Sequence, residues 1–330
     1  MPPTGPGQPA QRALVLGAGG FLGSHLCRAL RRGGHGVTAF GHPPPGMAAD
    51  APTGTAGVDG IVWHTGDFAD RDRLVRALDG CTVAYHLIGS TSPARSNAAP
   101  AEDVTDTVVG TIAFLDAAVA AGVTRVVFVS SGGTVYGVQH RMPIAEDFPT
   151  DPICAYGINK LAIEKYLHLY HHLHGLDYCV LRVANPFGEG QVSRRQQGVV
   201  AAFAAAAAHG EPLVIWGDGS IVRDYVHIDD VTAALLQAGT IPALDERVIN
   251  IGSGAGRSVL DVANAMEAAA GHPLARDFRP GRPVDVPAVV LDITRAHRVL
   301  GWSPQVPWDA AIARTYRFHR DHAAVPVPVS

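Results

Sequence analysis

Cysteine is scarce in this 330-residue sequence, and the few cysteines are not spaced as pairs. The chain has four of them, at positions 27, 81, 154 and 179, and no two form a C-x-x-C motif. Small secreted proteins that depend on disulfides carry many more cysteines, at regular spacings. The pattern therefore favours reduced thiols in a cytoplasmic protein over a disulfide scaffold.

Long hydrophobic runs are absent as well. The longest apolar run covers residues 199–208, is rich in alanine, and is too short for a membrane helix, which needs about 20 residues. Residues 1–11 are rich in proline and glycine and lack the apolar stretch of a signal peptide. We predict a disordered tail over residues 1–11 and no membrane segment.

An excess of positive charge is also missing. The formal net charge is −4 and the sequence pI is near 6.4, whereas nucleic-acid binders usually carry a basic stripe. We therefore expect no nucleic-acid partner. With 47% hydrophobic and 17% charged residues, the chain can bury a sizeable core, and its length suits one large α/β domain with a smaller lobe.

Strand-like and helix-like segments alternate from the start of the chain. Residues 13–16, 37–40, 83–88, 125–129 and 178–183 have strand patterns. Residues 21–32, 74–78, 108–121 and 161–174 have helix patterns. This alternation predicts an α/β fold of the Rossmann type, with a doubly wound parallel sheet. We place the dinucleotide-binding domain at residues 12–184 and a smaller, mainly substrate-binding lobe at 185–330, part of which returns to the sheet near residues 248–251.

A glycine-rich turn follows the first strand. Gly17, Gly20 and Gly23 are three residues apart, at the junction where a Rossmann fold places the pyrophosphate of a dinucleotide on a helix N-terminus. The first glycine permits a tight turn, the second a close approach of the phosphates, and the third close packing of helix on strand. We expect Gly17, Gly20, Phe21, Leu22 and Gly23 to bind the cofactor.

The end of the second strand leaves the choice between NAD and NADP open. A Rossmann fold usually carries an acidic residue there for the adenosine ribose, or an arginine for a 2′-phosphate, but this chain has Gly41. Asp67 and Phe68, after a third short strand, are candidate contacts to the adenine end. Asp67 is equally compatible with a helix N-cap or a turn.

A tyrosine and a lysine lie four residues apart at the start of a predicted helix. Tyr156 and Lys160 therefore share one helical face, where the ammonium group would favour the phenolate and lower the pKa of the tyrosine. Such a phenolate can take the proton of a substrate hydroxyl while hydride leaves the same carbon. Hydroxyl groups within residues 130–137, at the end of a strand, lie where open α/β sheets bind ligands.

Taken together, these motifs resemble the extended short-chain dehydrogenase/reductase family, and within it the NAD-dependent epimerases and dehydratases similar to UDP-glucose 4-epimerases. The resemblance extends from residue 13 to about 318 and rests on ordered motifs. They are the glycine turn, Tyr85-His86-Leu87, Ser130 to Gly137, Tyr156 with Lys160, Leu181-Arg182-Val-Ala-Asn185-Pro-Phe-Gly188, Trp216-Gly217-Asp218-Gly219, Arg223-Asp224-Tyr225-Val-His227 and Gly281-Arg282-Pro-Val-Asp285-Val.

The resemblance implies a nucleotide-sugar 4-epimerase. Tyr156 would take the proton of the sugar 4-hydroxyl while bound NAD takes the hydride, and the 4-keto sugar would be reduced on its other face. The resemblance also implies that Lys160, Leu87 and Ser130 contact the cofactor. Asn185, Arg223 and Arg282 would hold the diphosphate. UDP is the family's default nucleotide, and dTDP is the alternative.

Three departures from the family pattern bear on the reaction. The Ser or Thr that orients the 4-hydroxyl is Gly132 here, so Thr134 or Ser131 must substitute, and we favour Thr134. The asparagine of the family's N-x-x-G-T motif is Thr107, and the ribose aspartate is Gly41. The Asp-Glu pair of the related dehydratases is absent beside Thr134, which argues against dehydration.

These departures keep two other hypotheses open. One is an NADPH-dependent nucleotide-sugar 4-ketoreductase, and the other is a non-catalytic protein that kept the fold, against which the intact Tyr156 and Lys160 argue. We expect a homodimer through a four-helix bundle of residues 108–121 and 161–174, as in many relatives. His168 and His172 have a spacing that could bind a metal, but with no acidic ligand nearby we predict no metal site.

Overall fold

The computed structural model describes residues 11–43, 60–89, 93–191, 198–281 and 286–323. Most of the predicted tail and the candidate substrate contact Arg282 lie outside the described residues. Contacts divide the chain into two units. The first comprises residues 1–136, 150–182 and 232–249, and the second comprises residues 137–149, 183–231 and 250–330.

The strands and helices are numbered in chain order. The strands are β1 (Arg12–Leu16), β2 (Gly36–Phe40), β3 (Val62–His64), β4 (Val83–His86), β5 (Arg125–Ser131), β6 (Asp177–Val183), β7 (Asn185–Phe187), β8 (Leu213–Trp216), β9 (Val222–His227), β10 (Val248–Ile251), β11 (Gly256–Ser258), β12 (Arg276–Arg279) and β13 (Ala288–Val289). The helices are α1 (Phe21–Arg32), α2 (Arg71–Leu78), α3 (Pro93–Ala98), α4 (Pro100–Asp103), α5 (Gly110–Ala120), α6 (Ala155–His174), α7 (Val199–His209), α8 (Ile228–Thr240), α9 (Val259–Ala270) and α10 (Trp308–His322), with π-helical turns at Val104–Val109 and Ala296–Leu300.

A seven-stranded sheet is the core of the first unit, in the order β10-β6-β5-β4-β1-β2-β3. Adjacent strands from β3 to β5 pair in parallel. Residues 13–16 of β1 are completely buried, as expected for a parallel strand covered by helices on both faces. Phe114 and Phe128 lie in a large core cluster of this unit. The predicted Rossmann-type α/β fold is confirmed.

Several predicted boundaries were wrong. The fourth strand ends at His86 rather than at residue 88, and the helix predicted from residue 108 begins as a π-helical turn at Val104. Residues 137–149 belong to the second unit, where the backbone N–H of Ile144 donates to the carbonyl of Val290 at 2.8 Å. Residues 232–249 belong to the first unit. The assignment of the dinucleotide to the first unit and of the substrate mainly to the second remains a prediction.

The second unit contains two small sheets. In one, β9 pairs with β7, β11 and β13, and in the other, β8 pairs with β12. Helices α7, α9 and α10 supply most of the surrounding core, which includes Phe203, Met266 and Tyr316. β7 and β9 therefore lie side by side and pack against the same hydrophobic core.

Candidate active site

The glycine turn is packed too tightly for any side chain at its third glycine. A Cβ atom on Gly23 would lie 2.2 Å from the carbonyl oxygen of Gly17, and one on Gly19 would lie 2.0 Å from the carbonyl oxygen of His42. Gly17 has a φ of +79°, which favours glycine. The N-cap of α1 is Gly20, with no side-chain cap and no acidic residue in the first turn. These features suit a pyrophosphate on the helix N-terminus.

Gly41 lies beside this turn at the end of β2. Its φ is +127°, and a Cβ atom there would lie 3.7 Å from the Cα and the N of Gly17. A side chain at this position would therefore begin next to the phosphate-binding turn, which is where a ribose-binding carboxylate belongs. The structure fits a dinucleotide at the glycine turn, but Gly41 itself supplies no group to recognise the ribose.

The neighbouring residues of the adenine end have local partners. Asp67 is exposed, and its Oδ1 accepts the backbone N–H of Ala69 at 2.9 Å, so its carboxylate shapes the turn before α2. The ring of Phe68 packs on His86 at a centroid distance of 5.4 Å. The backbone N–H of Leu87 donates to the carbonyl of Leu16 at 3.1 Å. Contacts of Asp67, Phe68 and Leu87 to a cofactor remain predictions.

Tyr156 and Lys160 converge on Gly89, just beyond the carboxyl end of β4. A Cβ atom on Gly89 would lie 3.5 Å from Lys160 Nζ and 3.7 Å from Tyr156 Oη. Lys160 is buried, and its Nζ donates to the carbonyls of Val129 at 2.9 Å and Ile88 at 3.3 Å. These carbonyls hold the ammonium group at one edge of the sheet. The glycine turn lies at the same edge, since a Cβ atom on Gly17 would lie 3.4 Å from the backbone N of Ile88.

The predicted lowering of the Tyr156 pKa was wrong for this structure. Burial, followed by the charges of Cys154 and Asp103, raises the pKa of Tyr156 to about 12. Lys160 Nζ donates to two carbonyls and lies 5.7 Å from the Tyr156 ring centroid. Burial also lowers the pKa of Lys160 to about 8, against the opposing charges of Glu164 and Asp103.

The three candidate hydroxyls differ in their surroundings. Ser130 is buried and donates to Glu164 Oε1 at 2.5 Å, so its hydroxyl serves a buried network. Thr134 Oγ1 is buried and has no hydrogen-bond partner within the described ranges. Ser131 is half-buried at the end of β5. An unpartnered buried hydroxyl is costly, and this makes Thr134 the hydroxyl best placed to bind a ligand group.

A cavity of about 710 Å³ lies within the second unit. Its lining includes two predicted substrate contacts, Asn185 and Arg223, together with Trp216, Tyr225 and Arg279. Arg223 Nη1 donates to the carbonyls of Val222 at 2.8 Å and Val286 at 2.7 Å. Sequence reasoning missed Arg279, although it stands three residues before Arg282 in a basic segment, and it missed Gly89, which has no sequence signal of its own.

Two carboxylates, one completely buried and one partly exposed, bond to groups around the strands that carry these cavity residues. Asp224 is completely buried, and its Oδ1 accepts the backbone N–H of Ser253 at 2.6 Å while its Oδ2 accepts that of Leu291 at 3.2 Å. Glu189, shortly after β7, pairs with His227 at 2.9 Å and with Arg314 at 2.6 Å. Polar bonds of Asp224 and Glu189 thus brace β9 and the end of β7, the strands that carry Arg223 and Asn185.

The described residues contain neither a candidate metal cluster nor a candidate membrane helix. No group of three His, Cys, Asp or Glu side chains that could hold a metal ion occurs there. His168 lies within 3.4 Å of the Tyr178 hydroxyl through its Nδ1. No helix in the same part of the chain is both long enough and apolar enough to span a membrane.

The family model of the NAD dependent epimerase/dehydratase family matches residues 13–252 of the sequence. The chain belongs to this family. The family description names NAD, and the glycine turn described above fits that cofactor. The described residues that the family match covers include the glycine turn, the Tyr156–Lys160 pair and β9.

Individual members of the epimerase/dehydratase family are similar over almost the whole chain. A UDP-glucose 4-epimerase of Mycolicibacterium smegmatis is 39% identical over 311 residues, which cover 94% of this chain and 99% of that protein. The structure of a UDP-glucose 4-epimerase from Thermotoga maritima with UDP-glucose is 32% identical and has a TM-score of 0.86, covering 94% and 99% of the two chains. A Thermus thermophilus UDP-glucose 4-epimerase in complex with NAD is 31% identical, with a TM-score of 0.82 and the same coverage.

Proposed function

We propose that the protein is an NAD-dependent nucleotide-sugar 4-epimerase that acts on UDP-sugars. The observation that carries the proposal is the convergence of Tyr156 Oη and Lys160 Nζ on Gly89, at the sheet edge that also bears the glycine turn. A phenol beside an ammonium group at this edge supports a proton-transfer role, because a Rossmann fold binds its dinucleotide at the same edge. The names of the relatives support the choice of epimerisation among the reactions that such a pair can perform.

The chain's residues perform the proton chemistry and the positioning. Tyr156 takes the proton of the sugar 4-hydroxyl and returns it to the same oxygen after the keto sugar has presented its other face. Lys160 supplies the positive charge that stabilises the phenolate, and Thr134 Oγ1 hydrogen-bonds the 4-oxygen. Bound NAD supplies reversible hydride transfer at C4. Because hydride leaves and returns, the reaction has no net redox change.

The pKa values of Tyr156 and Lys160 fit a pair that works only with its ligands in place. With the phenol pKa near 12 and the lysine pKa near 8, the phenolate is scarce in the ligand-free protein. During turnover, the phenolate must be favoured in one of two ways. Either a bound ligand brings a positive charge, or Lys160 gives up its bonds to the carbonyls of Ile88 and Val129. Proton transfer is therefore coupled to binding.

The cavity of the second unit supplies the proposed contacts to the nucleotide diphosphate. Arginine side chains suit phosphate oxygens because the guanidinium group donates two parallel hydrogen bonds. Arg223 and Arg279, with Asn185, are the candidates in the cavity lining, and Arg282 remains a candidate outside the described residues. Trp216 and Tyr225 offer aromatic surfaces for a base. A UDP-sugar matches this combination, and the ligand named for the Thermotoga maritima structure is UDP-glucose.

The NADPH-dependent ketoreductase remains the second candidate because Gly41 supplies no ribose-binding carboxylate. The relatives do not favour it, since those described above are named as epimerases. The two functions differ in net redox change. An epimerase converts a nucleotide sugar with no change in nicotinamide absorbance, whereas a ketoreductase consumes NADPH in proportion to a 4-keto sugar.

The deciding experiment is a panel of UDP- and dTDP-sugars incubated with the protein and NAD. NMR reports any new 4-epimer while nicotinamide absorbance is recorded. We expect one UDP-sugar to equilibrate with its 4-epimer at constant absorbance, and Tyr156→Phe to abolish this turnover with the fold retained. No epimer from any sugar, combined with NADPH consumption on 4-keto sugars, would replace the proposal with the reductase.

We further propose that the protein is a cytoplasmic homodimer that pairs through α5 and α6. Helix α6 exposes large apolar side chains at Ile158, Leu169 and Leu173, and the π-helical turn before α5 exposes Val109. Single exposed apolar residues are common, but four on neighbouring helices suit burial against a second copy. Light scattering should give a dimer mass for the wild type and a monomer mass for the double variant Leu169→Glu/Leu173→Glu, and a wild-type monomer mass would contradict the proposal.

A further inference from the structure

A buried carboxylate contacts the helix that carries the Tyr156–Lys160 pair and has no role in the mechanism above. Asp103 is the last residue of α4, and its relative exposure is 6%. The π-helical turn Val104–Val109 begins directly after it. Short π-helical insertions are frequent at functional sites, because the wider turn moves side chains out of the ordinary helical register.

Asp103 is joined to the catalytic helix by a short hydrogen bond. Asn159 Nδ2 donates to Asp103 Oδ2 at 2.7 Å. Asn159 has a relative exposure of 4% and stands between Tyr156 and Lys160 in α6. A hydrogen bond to an ionised carboxylate is about twice as strong as a neutral one. This bond therefore ties the first turns of α6, and the two reacting side chains with them, to α4.

Two other buried titratable groups, Glu164 and His86, lie near the pair. Glu164, one turn after Lys160, forms a salt bridge of 2.7 Å with Arg182 on β6. His86 on β4 is neutral at working pH, because burial lowers its pKa to about 3. The charge of Glu164 is thus balanced by that of Arg182, and His86 contributes no charge.

The remaining charged groups on the elements packed against α6 lie farther along those elements or at the surface. Asp116 on α5 accepts the Tyr170 hydroxyl at 2.5 Å, far along α6 from the pair. Arg125, at the start of β5, pairs with Asp177. Arg95 on α3, Glu102 on α4 and Asp106 in the π-helical turn have exposed side chains, where solvent screens their charges. Asp103 is the carboxylate that raises the pKa of both Tyr156 and Lys160.

We propose that Asp103 is a positioning residue for the reaction, whose buried carboxylate holds Asn159 and places a negative charge beside the Tyr156–Lys160 pair. This charge sets the pH range in which the pair works. The inference rests on the proposed function for its kinetic consequence, but its electrostatic consequence can be measured without turnover.

The sign of the effect follows from electrostatics. A negative charge favours the ammonium form of Lys160 and disfavours the phenolate form of Tyr156, so it raises both pKa values. Asp103→Asn removes the charge and keeps an oxygen acceptor for Asn159, so both pKa values should fall. The two limbs of a bell-shaped pH profile belong to the coupled pair. Both limbs therefore move to lower pH, whichever residue is assigned to each.

The composition of the chain makes Lys160 directly observable. The sequence contains only two lysines, Lys160 and Lys165, and Lys165 is exposed. Protein labelled with ¹³Cε-lysine thus gives two lysine resonances, and Lys165→Arg assigns them. Titrated by NMR, Lys160 should lose its proton near pH 8 in the wild type. In Asp103→Asn the midpoint should fall by about half a unit to one unit, a three- to tenfold change in proton affinity.

Two further variants distinguish the effect of the Asp103 charge from that of its hydrogen bond to Asn159 and from the effect of removing any nearby carboxylate. Asp106→Asn removes an exposed carboxylate three residues away and should leave the Lys160 midpoint unchanged. Asn159→Ala breaks the hydrogen bond and keeps the charge, so it should lower kcat with little change in KM while the Lys160 midpoint stays near the wild-type value. It also serves as the test if Asp103→Asn fails to fold.

The kinetic readout is the pH profile of kcat in the wild type and in Asp103→Asn. We expect both limbs to move to lower pH by a similar amount. A Lys160 midpoint that is the same in folded Asp103→Asn as in the wild type would overturn the inference, as would an equal shift in Asp106→Asn. If the Lys160 midpoint shifts but no sugar is epimerised, the electrostatic inference stands and the proposed function fails.

Discussion

Replacing Gly23 with alanine should damage the cofactor site and leave the fold in place. The Cβ atom of alanine would lie 2.2 Å from the carbonyl oxygen of Gly17 and 2.7 Å from the Cα of Ala18. Ordinary contact begins near 3.4 Å, so α1 and the turn must separate by about 1.2 Å. Both contacting atoms belong to the backbone and cannot rotate away. Overpacking of this kind costs about 1–3 kcal/mol of stability.

The same displacement moves the N-terminus of α1 away from the phosphates. Hydrogen bonds weaken steeply beyond their normal range of about 2.7–3.2 Å, so a shift of this size should lower NAD affinity at least about tenfold, which corresponds to about 1.4 kcal/mol. The assay compares NAD binding by calorimetry and stability by urea unfolding. Gly33→Ala is the matched control at the other end of α1, where the nearest contact is the movable His35 side chain at 3.1 Å.

The reasoning fails if Gly23→Ala binds NAD as tightly as the wild type. It also fails if Gly33→Ala weakens NAD binding to the same extent, because the loss would then reflect general damage to α1. Loss of NAD binding confined to Gly23→Ala, in a protein that still unfolds cooperatively, would identify the turn as the dinucleotide site.

Three further substitutions test the packing and the chemistry of the first unit. Gly239→Ala places a Cβ atom 1.9 Å from Tyr85 Oη and should cost about 1–3 kcal/mol in urea unfolding; adding Tyr85→Phe should recover part of the loss. Arg182→Ala leaves Glu164 uncompensated in a pair whose side chains are 5% and 4% exposed, and should cost about 3–5 kcal/mol by the same method. Thr134→Val removes the unpartnered hydroxyl and should lower kcat about tenfold, the worth of one hydrogen bond, with the stability unchanged or increased; an unchanged kcat would remove Thr134 from the mechanism.

The fold could be predicted from the sequence because its signals are local. A parallel strand covered on both faces needs a short run of apolar residues, and residues 13–16 supply one directly before three spaced glycines. The Tyr156–Lys160 pair was equally visible, since a spacing of four residues places two side chains on one helical face. In each case, the feature depends on residues that are neighbours in the chain.

The electrostatics of the site could not be predicted in the same way. The phenol pKa depends on burial and on Asp103, which lies 53 positions before Tyr156 in the sequence. The bonds of Lys160 depend on carbonyls at the ends of β4 and β5, and backbone carbonyls have no signature in the sequence. The spacing of Tyr156 and Lys160 identified the pair but not the direction in which burial moves their pKa values.

The use of lysine in this chain shows how strongly the site constrains the residue at position 160. Of the 26 basic residues counted as Lys or Arg, only two are lysines, so arginine serves nearly every other basic position. At position 160 an arginine would stay charged at any working pH and would present a wide planar group. The compact ammonium group instead reaches two carbonyls from a buried position, and burial brings its pKa to about 8. In its charged form, this ammonium group supplies the positive charge that favours the phenolate of Tyr156 during proton transfer.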